Sequence, residues 1–213
     1  MNAITEKQAK RTAPPEERRR QLIEAAMAAI ADHGLSGTTT ADVTRRAGLS
    51  VGLVNHHFES KENLLAAVLG HLAEEMRAHW APQVDDPAVA AAKKLTAIVD
   101  AMFHPELCTR NKIAAWFAFF GDAGYRKIYR SMVADYDNQR SAAIEAQCIV
   151  LQKKTGAIAS DPAAIAVSVE ALADGLWLSL LLYPDCLSRE GARAQVIAFL
   201  EKHFPGHFGE VGE

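Results

Sequence analysis

The sequence predicts an all-α protein: an N-terminal three-helix unit, then a larger helical body. Three observations carry this. Apolar residues recur at helical spacing through most of the 213 residues. No stretch shows the period-2 alternation of a half-buried strand. Ser, Thr, Asp, Pro and Gly punctuate the chain where helices would start and stop.

Pro14-Pro15 opens the first helix, with Glu16 and Glu17 at the positive end of its dipole. Leu22, Ile23, Ala26, Met27 and Ile30 form its apolar stripe, and Gly34 ends it as a left-handed cap. Thr39 or Thr40 caps a short helix to Ala47, with Gly48 as its stop. Ser50 caps another of about two turns, ending near His57. Ser60 caps a longer helix from Lys61 to about Trp80, broken by Pro82.

Past the polar link "PQVDDP", Asp86 and Pro87 start a helix to about Phe103. "NKIAAWFAFFGDAG" is an apolar, aromatic segment, and Tyr125 to Lys154 forms a long helix stopped by Gly156. Ser160-Asp161-Pro162 starts an almost wholly apolar helix to Tyr183, and Ser188 caps the last, to about Phe204. The expected division is an arm over residues 1–15, a head over 16–76, a body over 77–204 and a tail over 205–213.

Composition narrows the function classes. Cys108, Cys148 and Cys186 are odd in number, far apart and without a C-x-x-C pair. That suits a reducing cytosol better than a disulfide framework or a structural zinc site. No unbroken apolar run reaches the ~18 residues of a spanning helix, and the N-terminus lacks a signal-peptide core. A cytoplasmic protein with no membrane partner is therefore expected. Net charge is −3, yet residues 1–20 hold six Lys/Arg against three Asp/Glu. A local basic footprint of that kind is what phosphate contact needs.

Residues 39–58 have the pattern of a helix-turn-helix, two helices of roughly two turns around a glycine-containing corner. Val43 and Ala47 share a face of the first, Leu49 sits in the corner, and Val54 and Phe58 share a face of the second. Ser50, Val51, Gly52, Leu53, Asn55, His56 and His57 are left outside. There, Val51 and Leu53 can meet thymine methyls, Gly52 lets backbone approach a base edge, and Asn55 can read adenine bidentately. Candidate phosphate anchors are Arg18, Arg19 and Arg20 in the first helix, and Arg45 and Arg46 facing outward from the second. Thr39, Thr40 and Lys61 join them at helix starts. An ordinary helical corner with solvated arginines is the competing account.

Adjacent histidines on a helix point about 100° apart, so His56 and His57 cannot share one ion. His71, Glu75 and His79 are better spaced, on one face of the fourth helix, but no fourth ligand is evident and a solvated face is the simpler reading. No metal or other cofactor is expected. G-x-S-x-G, P-loop and dinucleotide motifs are absent, so no enzyme is expected either.

Two features of the body suggest partners. The last two helices, "PAAIAVSVEALADGLWLSLLLY" and "EGARAQVIAFLEKHF", are too apolar for one face against a monomer core. Their surplus suits a homodimer interface, although completing a monomeric core would also use it. Trp116, Phe117, Phe119, Phe120, Tyr125, Tyr129 and Trp177 concentrate aromatic surface. Glu170 and Asp174 lie near Trp177 in sequence, and Asp122 lies beside the aromatic run. Rings plus a carboxylate suit a quaternary ammonium, which attracts ring quadrupoles but cannot donate an N–H bond. Ordinary core aromatics are the alternative.

Residues 16–76, with "TTTADVTRRAGLS" followed by "VGLVNHHFESKENLL", resemble the TetR-type DNA-binding domain. The resemblance implies that Thr39, Thr40, His57 and Lys61 grip phosphates while Val51, Gly52, Leu53 and Asn55 face bases. Asn55 stands where that family usually has tyrosine, which bears on operator preference. "RRRQLIEAAMAAI", "RRAGLSVGLVNHHF", "AAWFAFF" and "ALADGLWLSLLL" together resemble the subgroup that controls betaine synthesis from choline (BetI-type). That resemblance implies a dimeric repressor of those genes, bound to a palindromic operator and released by choline or a related cation. Trp116 and Trp177 with Asp122, Glu170 or Asp174 are the expected pocket. A TetR-type repressor for an unrelated ligand, or a helical metal-binding protein or enzyme, remains the alternative.

Overall fold

The computed structural model describes residues 14–155 and 161–209, which form nine helices and no strand. The expected stop at Gly156, the expected helix start at Ser160 and most of the arm lie outside the described residues. The head contains α1 (Pro15–Gly37), α2 (Thr40–Ala47) and α3 (Gly52–Phe58). α4 (Lys61–Asp85) runs from the head into the body without a break at residue 76. The body adds α5 (Ala91–Met102), α6 (Arg110–Gly121), α7 (Arg126–Thr155), α8 (Pro162–Leu182) and α9 (Arg189–His203).

In the head, Leu22, Ile23, Ala26, Met27 and Ile30 are buried against Val43, Val54 and Phe58 in one continuous core. Gly34 breaks α1 at φ 69°, ψ 177°, a conformation open essentially to glycine alone. Thr39 caps α2 by accepting from the Asp42 N–H, and Gly48 closes it in the left-handed region. Ser50 does not cap the next helix as expected. Val51 is already helical and takes the N-cap position, with no side-chain cap. Glu59 at φ 66° follows α3, and the Ser60 N–H reaches back to the Phe58 carbonyl at 2.7 Å. This is a tight γ-type turn, a strained device that fixes α3 against α4.

Other corrections have local causes. α4 continues through Pro82 to Asp85 instead of stopping near Trp80. Pro82 falls in the last turn, where Lys94 Nζ donates 2.5 Å to the Val84 carbonyl and caps the end. α5 starts at Ala91 rather than Asp86, because the Asp86 carboxylate accepts from the Ala88 N–H and holds a turn there. The segment expected as a tail folds back: Glu201 accepts from the Gly206 and Phe208 N–H groups.

α6 packs along α1 and also meets α8 and α7, so it touches head and body alike. α8 is, against expectation, long and apolar enough to cross a membrane: 21 residues with a most apolar window of mean hydropathy 1.7. Glu170 and Asp174 interrupt it, so a search for unbroken apolar runs passes it by. Ile165, Val169, Ala173, Leu176 and Trp177 bury its inner side. Its outer side leaves Val167 62%, Leu178 40% and Leu182 56% exposed.

Candidate nucleic-acid interface and ligand pocket

On the head, Val51, Gly52, Asn55 and His56 are exposed along α3, and Ser50 is exposed just ahead of it. A Cβ added to Gly52 would meet no protein atom, so internal packing does not require this glycine. Leu53 is only half outside, packed against the core. His57 is half-buried, and burial, with the nearby charges of His56 and Arg19, lowers its pKa. At neutral pH its imidazole is therefore neutral and offers one N–H donor.

The arginines divide by environment. Arg19 is exposed, with its guanidinium carbon 5.2 Å from the centre of the Phe58 ring, which holds it beside α3. Arg18 is buried and donates 3.1 Å to Gln21. Arg20 is engaged by Glu17 at 2.8 Å and Glu24 at 2.6 Å. Arg45 is exposed next to Asp42. Arg46 does not face outward as expected. It binds Asp42 and Asp32, both at 2.8 Å, and ties α2 to α1. Hydrogen bonds from Arg46 and then Arg45 hold the Asp42 carboxyl below its ordinary pKa. Thr39 is exposed at the start of α2, Thr40 half-buried behind it, and Lys61 half-buried as the first residue of α4.

The body contains a cavity of about 270 Å³ between α4, α5, α6, α7 and α8. It falls just below the ~300–1,000 Å³ of typical ligand pockets, which suits a small ligand. Trp116, Phe120, Tyr129 and Trp177 supply aromatic wall, with Met76 and Met102. Phe120 and Tyr129 meet edge to face at 5.2 Å, and Trp116 lies 5.9 Å from Phe120. The Trp177 indole N–H is spent on the Met102 carbonyl at 2.8 Å.

Charge in the cavity is unbalanced, with Asp137, Glu170 and Asp174 against Arg140 alone. Arg140 donates 3.1 Å to Asp137 and 3.1 Å to Glu170, and the Tyr129 hydroxyl donates 3.0 Å to Asp137. Asp174 has no hydrogen-bond partner among the described residues. Burial pushes its carboxyl up to about 6, with Glu170 and Asp137 adding and Arg140 opposing. The residue is nonetheless exposed at the pocket wall, so solvent screens part of this effect.

Four expected pocket residues, Trp116, Trp177, Glu170 and Asp174, thus come together. Asp122 does not join them. It caps the end of α6 and accepts from the Gly124 N–H at 2.8 Å. Asp137 and Arg140 were missed; their only sequence signal is an i, i+3 acid–base pair within a long polar helix. The metal-spaced trio is engaged otherwise, although the His71 Nε2 stays 3.6 Å from the Glu75 carboxylate. Glu75 is held by Lys112 at 2.6 Å, and the His79 Nδ1 lies 2.8 Å from the Glu75 main-chain carbonyl.

A helix-turn-helix head joined through α4 to a small, ring-lined acidic pocket defines a ligand-responsive DNA-binding regulator. The comparisons agree. The family profile "BetI-type transcriptional repressor, C-terminal" matches residues 91–205, and that for "Bacterial regulatory proteins, tetR family" matches residues 22–68. The HTH-type transcriptional regulator BetI of Agrobacterium fabrum is 31% identical over 191 residues, 88% of this chain and 90% of the relative. BetI of Escherichia coli O17:K52:H18 is 29% identical over 88% of this chain and 94% of its own. A Pseudomonas aeruginosa PAO1 regulator of known structure aligns with TM-score 0.76 at 27% identity, covering 92% of this chain and 95% of its own. A Saccharomonospora viridis protein solved in complex with choline shares the fold at TM-score 0.69 and 21% identity, covering 87% and 96%. The chain belongs to the TetR family, in its BetI-type branch, and is a transcriptional repressor rather than an enzyme.

Proposed function

We propose that this repressor controls genes for glycine betaine synthesis from choline and leaves its operator when a small quaternary ammonium, choline first among them, fills the body pocket. One observation carries the reading: aromatic rings surround a cavity with three carboxylates and one guanidinium, and Asp174 makes no hydrogen bond among the described residues. A quaternary ammonium needs ring faces and negative charge without hydrogen-bond acceptors aimed at it. The choline bound to the Saccharomonospora viridis protein is consistent with this. Arg140, already committed to Asp137 and Glu170, offers little to a ligand carboxylate. The pocket therefore favours choline or betaine aldehyde over zwitterionic betaine.

The head spans residues 16–76 and the effector and dimer body 77–204, joined through α4. Arg19, Thr39, Thr40, Arg45, His57 and Lys61 hold phosphates, whereas Ser50, Val51, Gly52, Leu53, Asn55 and His56 lie toward base edges. Arg18 and Arg20 add charge with their guanidinium groups already engaged. Two copies meet through α9 and α8, the latter leaving Val167, Leu178 and Leu182 exposed and in need of cover. A two-fold dimer matches one α3 to each half of a palindromic operator. Trp116 and Phe120 lie on α6, which packs along α1, and Met76 lies on α4, so pocket filling reaches the head through both helices.

Calorimetric titration of the full chain tests the effector. Choline should bind at one site per chain, and betaine more weakly by about tenfold or more, the weight of one displaced charge contact. Equal affinity for both, or no binding of either, returns the pocket to an unrelated ligand.

A further inference from the structure

His79 meets a different pair. One ligand atom each from His79, His104 and Glu106 lies within 4.8 Å of the others. His79 comes from α4 and the other two from the turn between α5 and α6. The imidazole rings lie 4.7 Å apart, centre to centre.

We propose that His79, His104 and Glu106 bind one divalent transition-metal ion of the zinc class. Nδ1 of His79 donates to the Glu75 carbonyl at 2.8 Å, which leaves Nε2 unprotonated for a ligand. A main-chain bond of this kind orients metal-ligating histidines. His104 holds Nδ1 unprotonated, because that atom accepts from the Glu106 N–H at 3.3 Å, a long bond that a cation readily replaces. Two imidazoles and a carboxylate suit Zn²⁺, Co²⁺ or Ni²⁺ rather than oxygen-seeking Mg²⁺ or Ca²⁺. Tetrahedral zinc sets its ligand atoms about 3.3 Å apart. Side-chain rotation closes the remainder, since Glu106 is exposed and both histidines are half-buried. The open side leaves a fourth position for water. The ion would clip α4 to the turn following α5, one turn past Met76 and two residues past Met102, both on the cavity wall.

Calorimetric titration of tag-free, full-length protein with Zn²⁺, alongside the visible spectrum of the Co²⁺ form, tests this. One ion per chain is expected, with a Co²⁺ spectrum of tetrahedral type. His104→Ala and Glu106→Gln should each weaken binding roughly tenfold or more, whereas His71→Ala should not. Glu106 is exposed, so its variant keeps the fold, and circular dichroism confirms this for each variant. No stoichiometric binding, or equal affinity across wild type and the three variants, overturns the site.

Discussion

In the head, the residues assigned to base edges fall within 50–56, and all but the half-buried Leu53 stay outside, with Val51 50% exposed. In the body, the pocket draws its residues from five helices, and its tryptophans are buried, Trp116 and Trp177 each at 6%. The head's polar groups are settled locally, by caps and by ion pairs within α1 and α2. The pocket instead concentrates acidic groups and leaves Asp174 without a hydrogen-bond partner among the described residues. On the proposed reading, the surface for a polyanion is built complete, whereas the pocket for a cation is built with a deficit.

Five outcomes would sharpen or break that contrast. Phe58→Ala should have the largest effect. It empties a buried site beneath Arg19 and should cost about 3–5 kcal/mol. Thermal unfolding and operator titration should show a failed head, with choline binding by the body retained; loss of both together would merge the two regions. Trp116→Leu should act only on the body. Losing one desolvated ring face is worth about 2 kcal/mol, roughly a thirtyfold loss of choline affinity with operator affinity unchanged.

Asp174 gives a pH test whose sign is opposite to that of a paired carboxylate. Its folded-state pKa, about 6, lies above its ordinary 3.8. Between those values the folded chain holds a proton that the unfolded chain has released, so this group lowers stability as pH rises through that window. Choline affinity should fall as pH drops below about 6, when the carboxyl becomes neutral. Asp174→Asn should remove this pH dependence, weaken choline binding and raise the melting temperature at neutral pH. A gain in both stability and choline affinity would remove the deficit from the account.

On the head, Lys61→Ala and Arg19→Ala should each reduce the salt slope of operator binding by about 1. Retained affinity with an unchanged slope would remove them from the phosphate contacts. The smallest expected effect separates two hydroxyls. Thr39→Ala should cost about 1 kcal/mol by removing a cap, while Ser50→Ala should cost under about 0.5 kcal/mol, because α3 starts without it.

What could be read from sequence follows the same division. The head's helices and core were legible because caps, glycine stops and apolar spacing act within a few residues. Its errors were also local: Ser50 resembled a cap, and Arg46 resembled a free cation until Asp32 came within reach. In the body, Trp116, Trp177, Glu170 and Asp174 were legible as a composition of rings and acids. Asp137 and Arg140 were not, because α7 reads as a polar surface helix and only tertiary packing brings it to the cavity. Asp122 misled by standing beside the aromatic run while its carboxylate closes a turn.

The central claim is that filling the body pocket disables the head. Fluorescence anisotropy of a labelled fragment from upstream of the coding sequence, titrated with full-length protein with and without choline, tests it most directly. The account predicts that saturating choline weakens operator binding by at least about fivefold, the lower end of ordinary allosteric coupling, and that Asp174→Asn shifts this response to higher choline. Choline that binds the protein while operator affinity stays unchanged would contradict it.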